Sequence, residues 1–183
     1  MATTKHTIVA LVQNKPGVLN RMASLFRRRG FNIESIAVGR TEVPDQSRMT
    51  IVVDGSNVMV EQVRKQVEKV IDVLKVLDIT EEEKIVRELA LMKVRTTPST
   101  RSEIIQIVSI FRANIVDVAS DSVTVEVTGD EDKIDSLFNL LRGFGIKELS
   151  RTGRIAMVRG LPGSLPVEDK ALKPVETRQR LAQ

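Results

Sequence analysis

The 183-residue sequence has no cysteine, no tryptophan, no tyrosine and a single histidine. Each absence removes a class of function. Without cysteine there is no thiol nucleophile, disulfide or thiolate metal centre, and the composition suits a reducing cytoplasm. One histidine excludes a multi-histidine metal site, and His6, at the edge of the first apolar run, reads as a surface or strand-end residue rather than a catalytic base. Only five phenylalanines remain as aromatics, most inside helical patterns, so a sheet that stacks RNA bases lacks its platform. No window approaches the roughly 18 apolar residues of a membrane span, and "MATTKHTIVALVQ" offers only a short apolar run with polar residues on both sides. We expect a cytoplasmic chain, neither exported nor inserted.

What is present is the composition of a globular protein, with 42% hydrophobic residues, enough for one medium domain or two small ones. The net charge of +4 is spread over 28% charged residues of mixed sign and gives little reason to expect nucleic acid. Arg27, Arg28 and Arg29 are the compact basic run, and a solvated helix end that complements the helix dipole accounts for them.

The apolar pattern alternates between two periods. "HTIVALV" (6–12) reads as a strand, and Val18, Leu19, Met22, Leu25 and Phe26 then recur as an amphipathic helix that ends at Gly30. "FNIESIAVGRTE" (31–42) and "SRMTIVVDG" (47–55) flank a Pro44-Asp45 turn as a hairpin. A helix through "VMVEQVRKQVEKV" and a strand over 71–79 complete β-α-β-β-α-β. After a polar connector the order repeats. "VRELALMKVRT" (86–96) is a strand, and Ile104, Ile107, Val108 and Phe111 mark a helix with Ser99 or Ser102 as its cap. "NIVDVAS" and "SVTVEVTG" form a second hairpin, "DEDKIDSLFNLLRGF" a helix, and "GIKELSRTGRIAMVRG" the end of the unit.

The expected fold class is α+β, with two ferredoxin-like βαββαβ modules in tandem over 1–80 and 85–159, followed by a flexible or loosely docked tail over 160–183 that holds three of the six prolines. "TIVALV" and "LALMKV" are apolar on both faces, which calls for a cover on the second side of each sheet; another chain of an oligomer is the expected cover, and the sister module is the alternative. Ile105 and Ile110 lie off the main helical stripe, available for a partner or for extra core burial. Asp130, Glu131, Asp132 and Asp135 raise the question of a divalent cation, and their place in a first helical turn explains them with nothing bound. No catalytic constellation is visible.

The stretch "VQNKPGVLNRMASLFRRRGFNIES" (12–35) carries the candidate site. Pro16-Gly17 suits a turn in which proline sets one φ and glycine accepts a positive one. The turn exposes the amides of Gly17, Val18 and Leu19 at a helix N-terminus, where unpaired donors and the helix dipole favour an anion. Asn14 and Asn32 add side chains that both donate and accept, a set that suits a zwitterionic α-amino acid better than a phosphate. Val18, Leu19 or Ile33 would meet its side chain.

The wording around this turn, "NKPGVLNR", "GFNIESIAVG" and "SRMTIVV", resembles an ACT domain, and with "VIDVLKVLDIT", "VRELALMKV" and "RSEIIQIVSIFRANIVDV" it is similar to the small regulatory subunits of acetohydroxyacid synthase, also called acetolactate synthase. The resemblance reaches about Gly160. It implies an ACT domain followed by a ferredoxin-like domain, with no chemistry and no cofactor of its own. It also implies a homodimer that binds a catalytic large subunit carrying thiamine diphosphate, Mg and FAD. That complex would be activated by the chain and feedback-inhibited by valine or a related branched-chain amino acid. Effector contacts fall on Asn14, Gly17, Val18, Leu19, Asn32 and Ile33. The second module's turn, "RTTPSTRSE", lacks the Asn-x-Pro-Gly arrangement and is expected to serve as scaffold or catalytic-subunit contact. A stand-alone amino acid sensor, or a regulator of another enzyme or of transcription, is the alternative; the latter should add a DNA-reading helix pair or basic arm, and the sequence shows neither.

Overall fold

The computed structural model describes residues 4–160. The first module contains β1 (Thr4–Gln13), α1 (Val18–Arg28), β2 (Ile33–Arg40), β3 (Gln46–Gly55), α2 (Asn57–Val67) and β4 (Val73–Asp78). The second contains β5 (Lys84–Arg95), α3 (Arg101–Ile110), β6 (Asn114–Val118), β7 (Ser122–Gly129), α4 (Glu131–Arg142), β8 (Ile146–Arg151) and β9 (Ile155–Val158). Both sheets are antiparallel, ordered β2-β3-β1-β4 and β6-β7-β5-β8, with β9 added to the first part of β5. Two ferredoxin-like βαββαβ modules therefore follow one another, as the apolar periods imply. The tail expected beyond Gly160 lies outside the described residues.

Each module has a core between its helices and one sheet face. Val18, Met22, Leu25 and Phe26 of α1 pack on Ile8, Ala10 and Val12 of β1 and on Ile51 and Val53 of β3. In the second module Ile104 and Val108 of α3 and Ile134, Leu137 and Leu141 of α4 meet Ala90, Met92, Val94, Val123, Val125 and Val127. Phe26 is the largest fully buried side chain. Phe26→Ala is expected to cost about 3–5 kcal/mol by leaving a cavity beneath α1, read as a lower denaturant midpoint at unchanged slope. A cost near zero would mean that α1 is not held by this face.

Several expectations change on folding. His6 is not a surface residue: it is 3% exposed, with Nδ1 3.4 Å from Thr80 Oγ1 and 3.7 Å from Asp78 Oδ2. The chain leaving β4 folds back over the start of β1, where the Ile79 amide donates to the Thr7 carbonyl, and this covers the ring. The helix expected through Val70 ends at Val67, and the last strand of the module starts at Val73, leaving Ile71 in a turn and exposed. Helix α3 starts at neither Ser99 nor Ser102. Its N-cap is Thr100, whose hydroxyl accepts from the Thr97 amide at 2.9 Å and so closes the turn ahead of the helix. The segment 145–160 is two strands, because Gly153, at φ +78, turns the chain between β8 and β9.

The second face of the first sheet is covered by the sister module. Val9, Leu77 and Ile79 pack against Val86, Ala156 and Val158, and the Arg48 guanidinium donates to the Ala156 carbonyl at 2.8 Å. In the second sheet Leu91 stands partly exposed between Glu126 and Ser150 on the neighbouring strands. Ile105 and Ile110 are exposed on α3, so extra core burial does not explain them.

Candidate functional site

The chain leaves β1 at Gln13, turns through Asn14-Lys15-Pro16-Gly17 and enters α1 at Val18. Backbone bonds hold the turn: Gln13 N–H to the Asp72 carbonyl (2.8 Å), Asn14 N–H to the Asp45 carbonyl (2.7 Å) and Lys15 N–H to the Gln13 carbonyl (3.0 Å). Gly17 is the N-cap with φ +85, the left-handed region that glycine enters without strain. Glycine has no side chain with which to cap the helix. The Val18 amide faces the Lys15 carbonyl at 3.4 Å and the Arg21 amide donates to the Gly17 carbonyl, so the amides of Gly17, Leu19 and Asn20 have no partner among the described residues. They point out of an exposed turn at the positive end of the helix dipole, an arrangement that accepts a carboxylate.

The remaining side chains divide the work. Val18 is buried in the core, so its side chain faces no ligand, whereas Leu19 is half exposed beside the free amides. Asn14 is exposed. Two residues that the sequence reading did not single out complete the surroundings. Arg21, one helical turn after Gly17, places its guanidinium 3.1 Å from Asp72 Oδ2, and Asp72 is 7% exposed. The residue at the turn between α2 and β4 is thus tied by its backbone to the end of β1 and by its carboxylate to the first turns of α1.

Asn32 is exposed and Ile33 half buried at the other end of the sheet. Gln13 lies opposite Gln46, while Ile33 lies opposite Val53, seven residues further along β3. At a rise of about 3.4 Å per residue that is roughly 24 Å of strand. The Asn14–Leu19 turn and the Asn32–Ile33 strand start are therefore not brought together within one module. Strand β2 is also the edge of its sheet, with one side unpaired among the described residues.

The acidic run at the start of α4 is occupied by protein. Asp130 caps the helix by accepting from the Lys133 amide at 2.9 Å, Glu131 pairs with Lys5 and Arg154, and Asp135 pairs with Arg151. Among the described residues no three acidic or histidine side chains are grouped to hold a metal ion. No described helix is long and apolar enough to cross a membrane.

Two antiparallel βαββαβ modules, the first opening its helix on a left-handed glycine after proline, place the chain in the class of tandem ferredoxin-like proteins headed by an ACT domain. A family model described as an AHAS small subunit-like ACT domain matches residues 8–75, and one described as the small subunit of acetolactate synthase matches residues 87–160. A probable acetolactate synthase small subunit of Archaeoglobus fulgidus is 60% identical over 156 residues, covering 85% of this chain and 98% of that protein. The acetolactate synthase small subunit of Mycobacterium bovis is 48% identical, covering 89% of this chain and 97% of the other. The crystal structure of the acetolactate synthase small subunit from Thermotoga maritima superposes with a TM-score of 0.80 at 42% identity, over 86% of this chain and 99% of that one. The chain belongs to the acetolactate synthase small-subunit family.

Proposed function

We infer that this chain is the non-catalytic regulatory subunit of an acetolactate synthase holoenzyme, and that it binds valine, or a related branched-chain amino acid, to impose feedback inhibition on a catalytic large subunit that it also activates. The thiamine diphosphate, Mg and FAD of that chemistry belong to the large subunit. One observation carries the site: the left-handed Gly17 leaves three amides open at the start of α1, in a module of the acetolactate synthase ACT type. The amino acid carboxylate meets those amides, the ammonium meets an asparagine side-chain oxygen, and the apolar side chain lies against Leu19 and Ile33.

The roughly 24 Å between turn and strand start is far longer than one amino acid, so a site that uses both draws them from two chains. Antiparallel pairing of two β2 edges about a two-fold axis brings the start of one β2 level with Arg40 of the other. Arg40 lies opposite Ser47, and Ser47 opposite Val12, just ahead of the partner chain's turn. Such a dimer closes two equivalent sites. Asn32→Ala is expected to cost about 1–3 kcal/mol of valine binding, roughly 5- to 150-fold in affinity, by calorimetry on the purified chain, with activation of the large subunit retained. Wild-type affinity in this variant refutes the assignment of Asn32.

A further inference from the structure

The two modules also meet at a charged seam, separate from the apolar contact of Val9 and Ala156. A cavity of about 330 Å³ opens there, lined by Glu34, Ser35, Glu88, Glu131, Arg151 and Arg154. Its charges are matched by one another. Lys5 Nζ lies 3.0 Å from Glu34 Oε1 and 2.8 Å from Glu131 Oε1. Arg154 also donates to Glu131. Arg151 donates to both oxygens of Glu88 at 2.8 Å and to Asp135 at 2.8 Å. A solute would find no unpaired ion, so the seam works as a connection between modules rather than as a ligand site.

Where this connection starts is informative. In the β2–β3 ladder Ile33 faces Val53 and Ser35 faces Val52, so Glu34 is the extra residue of a β-bulge. A bulge re-aims the side chain it carries, and Glu34 is aimed across the sheet at Lys5, which in turn reaches the first turn of α4. The next residue, Ser35, touches the second module: a Cβ built on Gly153 would stand 3.3 Å from the Ser35 Cβ. Glu34 and Ser35 directly follow Asn32 and Ile33 in the chain.

We propose that the Glu34–Lys5–Glu131 bridge carries the state of the amino acid site to the second module, a proposal that rests on the reading of Asn32 and Ile33 as effector contacts. A ligand that orders the start of β2 sets the bulge, the bulge sets Glu34, and Glu34 selects where Lys5 holds α4. Lys5 is 39%, Glu34 37% and Glu131 31% exposed at the side chain, and ion pairs so accessible to water are weak. The bridge can therefore be remade without unfolding either core. The mutual hydrogen bond raises the Lys5 ammonium above its ordinary pKa and lowers the Glu131 carboxyl below its own. A ligand shifts such an equilibrium by its differential affinity for the two states.

The test uses the full chain with its large subunit, and reads the activity that remains at saturating valine, so that changes in affinity do not enter. Lys5→Met and Glu34→Gln are each expected to raise that residual activity at least about threefold, with valine still binding by calorimetry. The double variant should raise it no further, as two ends of one bridge must. Because the chain has no cysteine, Lys65→Cys and Asn139→Cys can carry one spin label on each module, and Lys5→Met should widen the distance distribution about twofold. If valine fails to bind the wild-type chain, the site reading falls and the transmitted signal with it. If valine binds and inhibits, and Lys5→Met leaves both residual activity and label distances as in the wild type, the site stands and the bridge is overturned.

Discussion

Gly17→Asp is expected to lower valine affinity by at least about a hundredfold while leaving activation of the large subunit intact. The new carboxylate would stand at the helix start, where the ligand's carboxylate is placed. Two like charges about 4 Å apart repel by about 1 kcal/mol in water and about 4 kcal/mol near a protein surface, and a hundredfold loss requires about 2.8 kcal/mol, between those limits. Folding should survive. Aspartate tolerates the left-handed region better than most residues, at a cost of about 1 kcal/mol. A Cβ at this position meets only Arg21 Nη2, at 3.6 Å, which is ordinary contact. Gly17→Ala separates charge from strain, since it carries the same φ of +85 without the carboxylate. Calorimetry on the two variants decides: a loss in Gly17→Ala as large as that in Gly17→Asp would mean that backbone geometry, not charge, governs the site, and the carboxylate would have to be placed elsewhere.

That the turn could be found from the sequence, while much around it could not, has a physical reason. Pro16-Gly17 fixes its own geometry within two residues, and Val18, Met22, Leu25 and Phe26 repeat with the period of the helix they form, so both are local signals. The fold follows the same way, because two modules of alternating period need no long-range information to be recognised. The pairing of Asn14 with Asn32 looks just as local, since the two flank one helix. Yet the 11 residues of α1 carry the chain about 16 Å along the sheet, and only the strand register reveals that the two asparagines lie at opposite ends. The burial of His6 depends on Ile79 and Thr80 folding back over it, 74 positions away for the Thr80 contact. Lys5 and Glu131 meet across 126 positions, and nothing near either residue announces the other. The break between β8 and β9 shows only in the pairing of β5, whose residues Lys84–Arg87 face β9 and Ala90–Val94 face β8, with the left-handed Gly153 between the two strands.

The separation of turn and strand start leads to a result that a site held within one chain cannot produce. Gly17→Asp damages the turn and Asn32→Ala the strand start, and each variant alone should lose valine inhibition of the holoenzyme. In a dimer whose sites each combine the turn of one chain with the strand start of the other, mixing the two variants restores function. In a mixed dimer one site receives both lesions, while the other is built from the intact turn of the Asn32→Ala chain and the intact strand start of the Gly17→Asp chain. With equal amounts and free exchange of subunits, half of the dimers are mixed and each has one sound site of two, so about a quarter of the wild-type sites return. By calorimetry, the fraction of sites that bind at wild-type affinity should rise from none in either variant alone to about that quarter in the mixture. The mixture should also regain partial inhibition by valine. If exchange is verified with differently tagged chains and the mixture still binds no valine, the site is not shared between two chains. The distance along β3 would then require that the turn or Asn32, but not both, touches the ligand.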